Sequence, residues 1–135
     1  MGPLFEAHCK SIDQTDQYTL FLLEACEKKI PVFTDVDAGD VILTLQGKIK
    51  PKRPLPHHLI YTLLKSVQMK VMKTVLYDVE DDIILSKIFL MHNDCDKQKV
   101  LEIEARASDS LIIALSHDAP IFCSQLVIEK QSINS

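Results

Sequence analysis

Apolar and polar positions first alternate at the period of strands. They predict a hairpin over residues 4–12 and 17–24 around the turn DQTD, then a third strand over about 28–33. The period then becomes helical. Val41, Ile42 and Leu45 share a face of a helix over 37–46, which Gly47 closes from a left-handed C-terminal position. Leu59, Ile60, Leu63, Leu64 and Val67 recur at helical spacing over 56–68, leaving His57, His58, Tyr61, Lys65 and Gln68 nearer the exposed sides. VMKTVLYDV and IILSKIFLM predict a second hairpin around EDD, and HNDCDKQ turns the chain into a strand over 99–105.

The segment 101–123 is the most informative. Leu101, Ile103 and Ala105 alternate with Glu102 and Glu104, the period of a strand with one buried face. Arg106 breaks the pattern, Ser108 is placed to cap a helix, and Asp109 falls in its first turn, where negative charge suits the helix dipole. Leu111 to Leu115 are apolar on nearly every side, so a helix over 108–117 is expected to be buried. Ala119 and Pro120 stop it, IFC resumes a strand, and SQLVIEK offers a last helical turn. VILTL at 41–45 and LIIAL at 111–115 each follow a strand and an acidic elbow. This order predicts an α+β fold, a mixed, barrel-like β-sheet with flanking helices, built from two repeats of three strands and two helices. The two elbows would face each other, or those of a partner subunit. The pattern fits a single domain over 1–130 and a frayed tail over 131–135.

Composition narrows the function. With 135 residues the chain is long enough for one core that buries about two-thirds of the unfolded surface. A 47% hydrophobic content and mean hydropathy of +0.07 leave apolar surface for another subunit, so a homo-oligomer, dimer or trimer, is expected. A net charge of −4 and a pI near 5.7 oppose broad capture of nucleic acid, so any such site must be local. Cys9, Cys26, Cys95 and Cys123 form no CxxC pair, which speaks against a zinc knuckle or thioredoxin-type centre and for free thiols in the cytoplasm. The N-terminal segment lacks the basic flank and apolar core of a signal peptide. Glu6 spoils a myristoylation signal, and no apolar run approaches the roughly 20 residues that span a bilayer, so no membrane partner is expected.

The elbow EARASDSLIIAL with APIFCS resembles the RPSDA-type segment of the bifunctional nuclease domain family, also called the domain of unknown function 151 family. KPKRPLPHHLI at 50–60 resembles its PPRPLTHDLL segment, and IPVFTDVDAGDVILTL its LPIWIG-x-FEA-x-AIALAL segment. The blocks fall in the family's order. Departures are specific: Pro56 stands for the usual Thr, His58 for Asp, Ala107 for Pro and Asp37 for Glu, and Thr34-Asp35 lacks the loop glycine. The resemblance implies a nuclease hydrolysing phosphodiester bonds in DNA or RNA.

Such chemistry has to position a water and stabilise charge on phosphate, often with a divalent metal such as Mg or Mn held by carboxylates. The elbows offer Asp37, Asp40, Glu104, Arg106 and Asp109, with Asp37, Glu104 and Asp109 as metal ligands. A structural reading competes: Asp109 complements the helix end while Arg106 pairs with Glu104 or Asp37. Lys48, Lys50, Lys52 and Arg53 cluster before the helix that starts with His57 and His58, where phosphate could dock and Ser108 could add a contact. His57 matches the family's THDL histidine as a general acid or base, yet His58 replaces the acid that might orient it. His92, Asp94, Cys95 and Asp96 include ligand types but are also ordinary turn residues. The replaced residues leave an alternative open: a non-catalytic oligomeric module binding a nucleotide, nucleic acid or a protein partner.

Overall fold

The computed structural model describes residues 2–94 and 97–133. β1 (Leu4–Gln14), β2 (Thr19–Ala25) and β3 (Lys28–Thr34) form an antiparallel meander. In β2 every second side chain is buried, Phe21, Leu23 and Ala25 among them, as the alternation requires. α1 (Asp37–Leu45) closes where the glycine predicts. Gly47 has φ +77, its N–H donates to Thr44 O at 3.0 Å, and Lys48 N–H donates to Leu43 O at 2.9 Å, the paired bonds of a Schellman end.

α2 (Pro56–Ser66) starts on a proline, whose missing N–H costs nothing in the first turn. β4 (Met69–Glu80), β5 (Ile83–Asp94) and β6 (Lys97–Arg106) form the second meander, followed by α3 (Ala107–Ser116), β7 (Ile121–Ser124) and α4 (Gln125–Gln131). One sheet of order β3-β2-β1-β7-β4-β5-β6 joins all seven strands. β7 runs antiparallel to β1 and parallel to β4, so each meander extends outward from β7 in chain order, as two related halves would. The sheet is mixed, as expected. It is open, with β3 and β6 at its edges, so the barrel-like arrangement takes the form of an open sheet rather than a closed cylinder.

α3 is the helix that the core closes around. Leu111 and Ala114 are fully buried, and Ile112 is 1% exposed. Beneath it lie three hydroxyls, on Thr74, Ser86 and Ser110, each in a fully buried residue. Ser86 donates to Ala105 O at 2.6 Å, which leaves it only to accept from the Ser110 hydroxyl at 2.7 Å, while Thr74 donates to Ser110 O at 3.1 Å. The chain of bonds ties α3 to β4, β5 and β6.

Three expectations need correcting. α3 begins at Ala107, with extended Arg106 in the capping position and no side-chain cap. Ser108 lies within the first turn at 6% exposure and does not cap it. β6 keeps its alternation but not its burial: Leu101 and Ile103 pair with buried Leu90 and Ile88, yet are 39% and 45% exposed because this edge of the sheet has no cover. α2 likewise splits its apolar face. Ile60 and Leu64 pack on the cluster of Val71, Ile88, Leu90 and Ile113, whereas Leu59, Leu63 and Val67 are 57%, 55% and 54% exposed.

At the C-terminus Ile133 N–H donates to Lys29 O at 2.9 Å, tying the chain to β3. Asn134 and Ser135 of the expected tail, and Cys95 and Asp96 of the HNDCDK segment, lie outside the described residues. Among the described residues no helix is long and apolar enough to cross a membrane.

The hydroxyl chain predicts unequal costs. Ser86→Ala strands both the Ala105 carbonyl and the Ser110 hydroxyl and should destabilise by about 1–3 kcal/mol. Ser110→Ala should cost less, and the double variant less than the sum, as read from urea denaturation.

Candidate functional site

The two elbows are held in different ways. At the first, Thr19 of β2 donates its hydroxyl to Val36 O at 3.0 Å and accepts from Gly39 N–H at 3.0 Å, serving the start of α1 from another strand. Gln14 donates to Val36 O at 2.9 Å and to Asp40 at 3.1 Å. A Cβ on Gly39 would stand 2.6 Å from Gln14 Cδ, so glycine is what lets this amide seat. Asp40 is thereby held as a structural group. Asp37 stands exposed in the first turn of α1.

At the second elbow the polypeptide leaves β6 extended at Arg106 and turns into α3. Arg106 lies in reach of Asp109, three residues on, and grips it with two bonds: Nε to Oδ2 at 2.8 Å and Nη2 to Oδ1 at 3.1 Å. Glu104, offered as a partner for Arg106, instead accepts from the Tyr77 hydroxyl at 3.1 Å. The main feature comes from the other half of the chain. His57, in the first turn of α2, places Nε2 3.0 Å from Asp109 Oδ1. Sequence reasoning assigned His57, Arg106 and Asp109 separate roles; the fold brings all three together.

Charge explains the geometry. Asp109 is 25% exposed, and its burial works against ionisation. The Arg106 guanidinium, helped by His57, outweighs that burial and holds the carboxyl below its usual range, while Asp109 in turn raises Arg106. An ionised carboxylate only accepts, so His57 Nε2 carries the hydrogen. Nδ1 of His57 is buried with no partner among the described residues. Position 58 carries no acid, yet the His57 imidazole does meet a carboxylate, that of Asp109. His58, at the third helical position, itself accepts from the N–H of Leu55, the capping residue, at 3.2 Å through Nδ1, which satisfies one donor at the start of α2.

The other expected groups are dispersed. A cleft of about 320 Å³ between the elbows is lined by Thr34, Asp35, Asp82, Arg106 and Ser108, so the elbows do face one another, although Ser108 is buried in its wall. Lys48, Lys50, Lys52 and Arg53 are exposed and make no ion pair among the described residues. No group of three or more His, Cys, Asp or Glu converges on a metal position among the described residues, so Asp37, Glu104 and Asp109 do not frame one together. Both oxygens of Asp109 are already taken by donors, which makes it a poor ligand as it stands. A larger groove, about 920 Å³, lies apart from this contact, against β1, α1 and α2. Its Lys10 and Tyr61 carry no sequence signal, since each alone is an ordinary surface residue.

A family model of the bifunctional nuclease domain matches residues 20–135. Two uncharacterized proteins, from two strains of Mycobacterium tuberculosis, are each 24% identical to this chain over 119 residues, covering 87% of it and 68% of their own length.

Because the folded-state carboxyl of Asp109 is depressed, its stabilisation is complete above the ordinary value of 3.8 and is lost as pH falls through the depressed one. Asp109→Asn should therefore lower stability at neutral pH and flatten its decline below that value in urea titrations. An unchanged acid slope would show that Asp109 is not held this way.

Proposed function

The chain belongs to the bifunctional nuclease domain family, and from that premise we propose that it hydrolyses phosphodiester bonds in DNA or RNA where α2 meets the second elbow. The observation that carries this reading is the Asp109 carboxylate lying between His57 and Arg106. Asp109 orients the imidazole and fixes its hydrogen on Nε2, leaving Nδ1 as the base that takes a proton from water once the buried nitrogen is uncovered. Arg106 spends two of its five N–H donors on Asp109 and is 69% exposed at its side chain, so three donors remain to meet the charge that grows on the phosphate oxygens. Lys50, Lys52 and Arg53, in the loop just before His57, hold the flanking phosphates. No step is assigned to a metal, because the proposed ligand set does not assemble.

Assembly belongs to the same proposal. The uncovered Leu101 and Ile103 of β6 and Leu59, Leu63 and Val67 of α2 support a homo-oligomer, dimer or trimer. They also support the second reading, an oligomeric binding module without catalysis, since assembly needs no reactive group. Cys9, Cys26 and Cys123, which form no disulfide among the described residues, the last with its thiol pushed up to about 12 by burial and so inert, support a cytoplasmic setting.

Asp109→Asn separates the readings. It should abolish cleavage of single- and double-stranded oligonucleotides while the protein stays folded, and full activity in a folded variant would make the elbow structural. Neutralising Lys50, Lys52 and Arg53 together should weaken oligonucleotide binding and reduce its salt slope by up to roughly 3, about one for each phosphate no longer neutralised. Light scattering should give a mass above the 15.3 kDa of one chain, and a monomer at high concentration would defeat the assembly proposal.

A further inference from the structure

The 920 Å³ groove runs against the acidic balance of the chain. The chain holds 19 Asp and Glu against 15 Lys and Arg, yet among the described residues no carboxylate lines the groove. Lys10 of β1 and Lys48 after α1 supply its charge, and Ile12, Ile42 and Leu115 give it an apolar floor. Asp40 and Glu24, which could oppose an anion, are engaged with Gln14 at 3.1 Å and with Lys10 at 4.0 Å. The Lys10 pair is exposed and long, so a phosphate can displace it at little cost.

Two side chains of α2 complete the wall. Tyr61 is 41% exposed and rests on His117, with ring centroids 4.9 Å apart. His117 supports the ring, and Lys65 Nζ, over it at 5.8 Å from the centroid, is a long flexible side chain that an incoming base can displace. His58 accepts from Leu55 N–H through Nδ1, so Nε2 carries the hydrogen, a donor with no partner among the described residues that can meet an acceptor in the groove. Lys48 also starts the basic segment that runs through Lys50, Lys52 and Arg53 to His57, so the groove and the proposed reaction site lie on one stretch of positive charge.

We propose that this groove binds a single-stranded nucleic-acid segment, with a base stacked on Tyr61 and backbone phosphates on Lys10 and Lys48. The inference rests on the nucleic-acid reading above and names its substrate class. An apolar floor beside an aromatic ring suits unstacked bases, which a duplex keeps inside. A duplex is held through rows of phosphate contacts, and an acidic chain with only a local cationic strip cannot supply them broadly.

The test is fluorescence anisotropy with a phosphorothioate oligodeoxythymidylate, which resists cleavage, against a hairpin duplex of equal length. The single strand should bind more tightly. Tyr61→Ala should weaken it roughly tenfold, within the range for removing one stacked base, while Tyr61→Phe retains it. Lys10→Gln with Lys48→Gln should reduce the salt slope by up to about 2. Because Tyr61 also packs on His117, thermal unfolding accompanies each variant, and Tyr61→Leu, apolar but unable to stack, replaces Tyr61→Ala if that variant is unstable. Equal binding of strand and duplex, or an unchanged affinity in a folded Tyr61 variant, overturns the groove while leaving a nuclease possible. Binding of neither probe overturns the groove and the nucleic-acid reading together.

Discussion

Asp109 takes donors from both halves of the chain: Arg106 at 2.8 Å from its own elbow, and His57 at 3.0 Å from 52 residues away. For a half-buried carboxylate these charge-assisted bonds outweigh the partial loss of solvent. The same bonds fix where α2 begins relative to α3. α2 has few other reasons to stay in place, since none of its side chains is fully buried and its apolar contact rests on Ile60 and Leu64. The His57 contact thus positions the basic loop that precedes α2 as well as the imidazole.

Asp109 can act as this anchor because α3 is packed into the core. The helix is buried along most of its length among β4, β5 and α1, and its backbone and Ser110 hydroxyl are tied to Thr74 and Ser86. Packing makes the second elbow rigid, whereas the first is held by polar groups from β1 and β2, Gln14 and Thr19.

Much of this architecture was legible in the pattern. The two meanders, the glycine end of α1, the burial of α3 and the strand after Pro120 all follow from local periodicity and turn chemistry, which report on a residue and its near neighbours. Partners distant in sequence leave no such trace. Nothing around His57 announces Asp109, and the residue at 58 is no guide, because the carboxylate that meets the imidazole comes from α3. Glu104 and Asp37 were sound chemical candidates, but strand and helix geometry turn them to Tyr77 and to solvent. Leu101 and Ile103 show the complementary failure: alternation identifies the apolar face of β6, yet only the strand order reveals that the face lies at an uncovered edge.

A double-mutant cycle in stability between His57→Ala and Asp109→Ala, measured by urea denaturation near neutral pH, tests the link between the halves most directly. The contact predicts that the two changes are not additive, with a coupling of about 0.5–3 kcal/mol, as for groups sharing one bonded network. Additivity to within about 0.3 kcal/mol would contradict it, leaving α2 and the elbow as neighbours that do not depend on each other.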